Sequence, residues 1–187
     1  MNELFQYLNS IYPLSESLQQ QLTISLKTIT IPRKGFLLKK GQVCKNICFV
    51  EKGLFRCFYI KDDKEISSWF MKEGDVIISV ESYFKQKPSY ESIQALEDCQ
   101  VLCVGYDALQ SIYHSYPEFN YIARVLTERY YCLSEQRLFS LRMQRASERY
   151  HHLMNHFPEI IQRVPSTFIA SYLGITLETL SRIKHVI

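Results

Sequence analysis

The chain has 187 residues, 47% hydrophobic and 22% charged, with a formal net charge of +3. That balance is globular and excludes a collagenous, low-complexity or disordered chain. No run approaches the roughly 18–20 apolar residues that span a bilayer. The start, Met1-Asn2-Glu3-Leu4-Phe5, lacks a basic leader followed by a long apolar core, so a cytoplasmic protein with no membrane partner is expected. The length suits one domain of about 110–140 residues and a small second one.

Residues 1–24 carry Leu4, Leu8 and Ile11, then Leu14, Leu18 and Leu22, at helical spacing, and Pro13 divides them into two short helices. From residue 26 to 106 the texture changes to short β-like runs at 27–31, 36–39, 47–51, 54–60, 65–71, 76–80, 92–96 and 100–104. Lys61-Asp62-Asp63-Lys64 reads as a hairpin tip, and Gly35, Gly41, Gly53 and Gly74 punctuate the strands. Many short strands with regular turn signals predict an antiparallel sandwich or barrel-like roll.

After Tyr106 the pattern becomes helical. A short helix is predicted over 106–114, and Pro117 suits the first turn of the next. No glycine or proline interrupts the chain from there to about Arg142, and Phe119, Ile122, Leu126, Tyr130 and Leu133 form one apolar stripe. Such a helix is ~39 Å long. Its stripe either covers the roll or pairs with a second copy. A further helix is predicted over 144–156, with Ala146, Tyr150 and Leu153 inward and an end near Pro158.

Residues 166–184 carry the strongest signal. Ser166 is a candidate cap for a helix bearing Ile169 and Leu173, and Gly174 stands where a left-handed residue ends a helix. Thr176 is a second N-cap, Glu178 puts a carboxylate in the positive first turn, and Leu180 and Ile183 form the next apolar face. Small Ala170 lets the two helices approach closely. The arrangement is a helix-turn-helix.

Six cysteines stand at 44, 48, 57, 99, 103 and 132. They are expected to be reduced, buried small hydrophobes. The four-residue offsets 44/48 and 99/103 place side chains ~13 Å apart on a strand, which disfavours a metal. His151, His152 and His156 lack a nearby carboxylate or cysteine and are read as surface residues near phosphate. No Gly-rich phosphate loop, Gly-x-Ser-x-Gly or His-Glu-x-x-His occurs, and residues 1–105 contain no histidine. No enzyme, metal or cofactor is expected.

Leu-Gly-Ile-Thr-x-Glu-Thr-Leu-Ser-Arg over 173–182 resembles the helix-turn-helix of the Crp/Fnr family of bacterial transcription regulators. Phe-Val-Glu-Lys-Gly-Leu-Phe-Arg over 49–56 and Glu-Gly-Asp-Val-Ile over 73–77 resemble the β-roll of cyclic-nucleotide-binding domains. The resemblance implies an α+β fold. A jelly-roll-like antiparallel sensor domain spans 1–116, a dimerisation helix 117–142 and a DNA-binding helix-turn-helix 143–187. It implies a homodimer on a palindromic double-stranded DNA operator. Thr176, Leu177, Glu178, Thr179, Ser181 and Arg182 would serve the groove, with Thr167 and Lys184 toward phosphates.

Carboxylates accept from cytosine N4, and arginine fits guanine O6 and N7 bidentately, which suits Glu178 and Arg182. The family's best-known member has an arginine where this chain has Leu177, so a different base preference is expected. Residues 144–187 hold an excess of only two positive charges before their four histidines are counted. Duplex affinity scales with phosphates neutralised, so paired copies are favoured. With Ile187 three residues past Lys184, no room is expected for the family's β-hairpin wing.

Nucleotide-binding members carry a Gly-Glu pair and then a phosphate-binding arginine in the segment after Gly74-Asp75. Here Glu81 has no preceding glycine, and Ser89, Tyr90 and Glu91 stand where the arginine belongs. A cyclic AMP ligand is therefore not expected. Glu81, Ser82, Tyr83, Ser89 and Tyr90 form the candidate effector pocket. It would serve another small molecule, nothing, or a contact with RNA polymerase. The rival to the whole reading is a ligand-binding or protein-interaction module whose C-terminal helices only pack.

Overall fold

The computed structural model describes residues 2–185. The expected antiparallel strands and flanking helices are present, and the chain divides into two compact units, one formed by 1–57 and 71–128, the other by 58–70 and 129–187.

In the first unit, α1 (Asn2–Ile11) and α2 (Glu16–Ser25) bury Leu4, Leu8, Leu18 and Leu22. The Ser15 hydroxyl accepts from the Leu18 amide at 3.3 Å and caps α2. Eight strands follow: β1 (Lys27–Ile31), β2 (Phe36–Leu38), β3 (Asn46–Lys52), β4 (Phe55–Lys61), β5 (Lys64–Met71), β6 (Val76–Ile77), β7 (Glu91–Ala95) and β8 (Cys99–Gly105). They form two four-stranded sheets, ordered β1-β8-β3-β6 and β2-β7-β4-β5. Alternate side chains turn inward, and Val50, Leu54, Phe55, Ile77, Ile93 and Val101 are buried between them.

The strand expected over 76–80 ends at Ile77, and the chain enters a helix instead, α3 (Val80–Lys85). Between β4 and β5, Asp62 and Asp63 both take positive φ (51° and 58°). Two consecutive left-handed residues make the two-residue turn whose twist matches a hairpin, and aspartate tolerates that backbone. Beyond the strands, α4 (Tyr106–Ser115) leads into α5 (Pro117–Met143), with Pro117 in its first turn as predicted.

The cysteines depart from expectation. The β3–β8 register sets Cys48 directly opposite Cys103, and the two form a disulfide. Cys99 and Cys103 share β8 as expected, whereas Cys44 precedes β3 and does not share a strand with Cys48. The partner lies across the ladder, which spacing along one strand does not reveal. Cys44, Cys57 and Cys99 are buried free thiols, and Cys132 is exposed.

The second unit holds the outer part of the β4–β5 hairpin, the later turns of α5, and α6 (Ala146–His156), α7 (Pro158–Arg163), α8 (Ser166–Leu173) and α9 (Leu177–His185). Tyr150 and Leu153 of α6 are buried as expected. Helix α7 was not expected: Pro158 begins a helix, at a position where its missing amide proton costs nothing, as well as closing the previous one. The sequence expectation about a wing after Lys184 falls outside the described residues.

Gly53 connects β3 to β4 with φ of +95°. A Cβ there would lie 2.5 Å from Cys99 Sγ and 2.9 Å from Cys99 Cα. Left-handed strain and steric overlap add, so Gly53→Ala is expected to destabilise the protein by roughly 2–4 kcal/mol. Urea unfolding of the variant measures this, and a change below about 1 kcal/mol would contradict the packing described.

Candidate functional site

Helix α8 buries Ile169, Ala170 and Leu173, and Gly174 stops it in the left-handed conformation (φ 67°, ψ 35°). The Gly174 amide donates to Ser171 O at 3.1 Å and the Ile175 amide to Ala170 O at 3.0 Å. Those two bonds are a Schellman motif, which satisfies carbonyls that the helix end would orphan. Thr176 then starts α9, its hydroxyl accepting from the Thr179 amide at 3.2 Å. At the other end of α8 the structure differs from expectation. Pro165 occupies the cap, and Ser166 lies inside the first turn, accepting from Lys184 Nζ at 3.1 Å.

Leu180 of α9 is buried, whereas Leu177, Glu178, Ser181, Arg182 and Lys184 are exposed, as are Thr167 and Thr176. Thr179 is half-buried. The spacing 177, 178, 181, 182, 185 places one continuous exposed stripe on α9, opposite Leu180. On it the Arg182 guanidinium donates to the Thr179 hydroxyl at 3.3 Å. Glu178 is held below the usual carboxylate range by its own first-turn amide, the Thr176 hydroxyl and the Arg182 charge. It stays an acceptor near neutrality.

Two arginines that sequence reading did not assign to the site close the C-terminal end of α8. Arg137 of α5 stacks its guanidinium 3.6 Å from the centroid of Tyr172 and donates to the Tyr172 carbonyl. Arg149 of α6 donates from Nε to Leu173 O at 2.9 Å and from Nη1 to Gln144 O at 2.5 Å. Cations at the negative end of a helix are favourable. Only the long-range fold shows that these two meet α8.

On α5, the predicted stripe has a different use at its N-terminal end. Phe119 and Ile122 are buried in the first unit, and Leu126, Tyr130 and Leu133 are half-buried. The opposite face exposes Tyr121, Cys132, Phe139 and Met143, with half-buried Val125 between them. Val125, Cys132 and Phe139 recur every seven residues, the period of a coiled-coil seam.

In the candidate effector region, Glu81 is exposed and paired with Lys85 at 2.8 Å, and Tyr90 is 53% exposed. Ser82, Tyr83 and Ser89 are buried. Ser82 Oγ accepts from the Cys44 amide and donates to Lys87 O. Ser79 Oγ donates to the Glu91 carboxylate at 2.7 Å, and Ser89 Oγ lies 3.0 Å from Ser79 Oγ. Ser89 Oγ also takes the Glu91 amide at 3.1 Å. The Tyr83 ring packs edge-on to Phe84 and Tyr106, and burial pushes its phenol up. The five residues lie close in the chain, but they divide between an exposed rim and a closed interior.

Residues 28–116 match the family model of the cyclic nucleotide-binding domain. Comparison with the curated proteins finds no match in sequence. Among solved structures, one from Eubacterium rectale assigned to the Crp/Fnr regulators is 17% identical with a TM-score of 0.74, covering 100% of this chain and 87% of that one. FixK2 from Bradyrhizobium japonicum is 19% identical with a TM-score of 0.69, covering 86% and 83%. The c-di-GMP responsive regulator CLP of Xanthomonas campestris is 14% identical with a TM-score of 0.71, covering 90% and 89%. At these identities the likeness is one of fold.

A cyclic nucleotide would bring a phosphate anion to the segment after β6, and the residues there do not fit one. No arginine occurs between 80 and 95, Glu91 places a carboxylate in the interior, and the hydroxyls of Ser79, Ser82 and Ser89 are already engaged. Burial raises Glu91 above its ordinary value, opposed by the Ser79 hydrogen bond. The folded state therefore holds this proton more tightly than the unfolded chain. Its contribution to stability is full below about pH 4.3 and is lost as pH rises through the raised value. Glu91→Gln should leave stability at pH 7 equal to or above wild type and flatten this segment of the pH profile. Urea midpoints between about pH 4 and 8 test it, and a wild-type midpoint unaffected by Glu91→Gln across that window would refute it.

Proposed function

We propose that this chain, whose residues 28–116 match the cyclic nucleotide-binding domain and whose fold is that of Crp/Fnr-family transcription regulators, is a homodimeric DNA-binding transcription regulator that works without a cyclic nucleotide. The observation that carries the reading is the α8–α9 geometry. A Schellman stop at Gly174 and a threonine cap at Thr176 present an exposed polar stripe of Glu178, Ser181 and Arg182 on a helix anchored by Leu180. An α-helix with that stripe enters a major groove, where the other faces of a packed helix are unavailable.

Glu178 and Arg182 read base edges, Thr176, Leu177, Thr179 and Ser181 line the approach, and Thr167 and Lys184 serve phosphates. Leu177, 43% exposed, offers an apolar surface suited to a thymine methyl group. Two copies pair along α5 through Tyr121, Val125, Cys132, Phe139 and Met143, which sets two recognition helices on one two-fold operator. The domains divide functionally as a roll over 1–116, a pairing helix over 117–142 and a reading domain over 143–187. Transcription regulators with this fold are not enzymes, and the chain is read as none.

Arg182→Ala should weaken operator binding roughly 5- to 150-fold and relax preference at one base pair, since a bidentate arginine–guanine contact is worth about 1–3 kcal/mol. Selection of bound genomic fragments followed by gel-shift titration across salt supplies the measurement. A flat salt response in the wild type would favour a packing-only role for these helices. The native Cys132 probes the pairing helix: mild oxidation should yield a disulfide-linked dimer that Cys132→Ser abolishes. An oxidised wild type that stays monomeric on a non-reducing gel would rule out the seam.

A further inference from the structure

The outer half of the β4–β5 hairpin, residues 58–70, groups with the C-terminal helices rather than with the sheets its strands enter. β5 is the edge strand of its sheet. An edge strand leaves alternate backbone groups without a ladder partner, and a covering element must supply one. Here a single side chain of α8 does so. The Ser171 hydroxyl accepts from the Ser67 amide at 2.9 Å and donates to Glu65 O at 3.1 Å. Residues 65 and 67 point to the same side of a strand, so one oxygen bridges the donor and the acceptor that a neighbouring strand would otherwise meet.

The next residue adds a second, apolar tie. Tyr172 packs against Phe70 with ring centroids 5.2 Å apart. Its other side takes the Arg137 guanidinium, whose donation to the Tyr172 carbonyl fixes the same residue from α5. Phe70 and Ser67 are buried. Polar bridge, ring pair and stacked arginine therefore converge on two consecutive residues, immediately before the Gly174 stop that aims α9.

We propose that the 58–70 hairpin is a working part of the DNA-reading unit, and that Ser171, Tyr172 and Arg137 are its positioning residues. They touch no base themselves; they hold α8 against the hairpin and so set the angle at which α9 leaves the turn. The strands of this hairpin run on through Cys57 and Met71 into the first unit. The positioning role rests on the DNA-binding reading above, whereas the hairpin tie itself does not.

Two variants and two readouts test the proposal on the full chain. Ser171→Ala removes the bridging oxygen and Ser171→Thr retains it. Loss of one bridged hydrogen bond should speed exchange of the Ser67 amide about tenfold in the alanine variant, and operator affinity should fall about 3- to 10-fold. The threonine variant should restore both, with the melting temperature of all three proteins recorded to exclude global unfolding. Unchanged Ser67 exchange in Ser171→Ala would overturn the tie. Faster exchange with unchanged operator affinity and base preference would overturn the positioning role. A wild type that binds no DNA would sink the regulator reading alone, and the Ser67 exchange would still decide the hairpin tie.

Discussion

The C-terminal stop of α8 governs what the second unit offers to a partner. A helix end exposes carbonyls, and here four groups meet them: the Gly174 and Ile175 amides from the chain itself, and Arg137 and Arg149 from two other helices. The direction of α9 follows from that stop, because only Ile175 and Thr176 separate Gly174 from its first residue. The exposed stripe on α9 is thus held by backbone geometry and half-buried cation contacts. Long surface ion pairs, which salt weakens, play little part. For the DNA partner proposed above, aiming α9 by packed and short-range contacts would keep its geometry independent of ionic strength.

The roll is organised on the opposite principle. Three of its interior hydroxyls are engaged from within: Ser79, Ser82 and Ser89 spend theirs on Glu91, Lys87 and Cys44. Here a carboxylate from the chain already draws on the Ser79 hydroxyl. The shared scaffold and the altered interior are compatible, since turns and sheet register specify the fold while a few side chains specify what enters it.

Much of this was legible in the sequence where the determining forces are local. Gly174, Thr176 and Leu180 act within one or two turns, so spacing alone placed the stop, the cap and the buried face. Asp62 and Asp63 announced their turn for the same reason. Features set by distant pairing were not legible. The Cys48–Cys103 bond depends on the β3–β8 register, and the Arg137 and Arg149 contacts depend on how three helices pack. Pro158 was half-read, as the end of α6 without the start of α7. The α5 stripe shows the limit most clearly. Periodicity found an apolar face, but it does not say whether that face serves the chain's own core or a neighbour, and Phe119 and Ile122 belong to the core.

That reassignment has a mechanical consequence. α5 is one unbroken helix of 27 residues, about 40 Å long. Burial of Ile122 near its N-terminal end fixes the rotation of that part of the helix about its own axis. The outward seam through Val125, Cys132 and Phe139 inherits that setting. Turning the seam toward a partner by even one residue, about 100°, would draw Ile122 out of the core. For the paired copies proposed above, the facing of the seam near Val125 would therefore be set within each copy by the burial of Ile122.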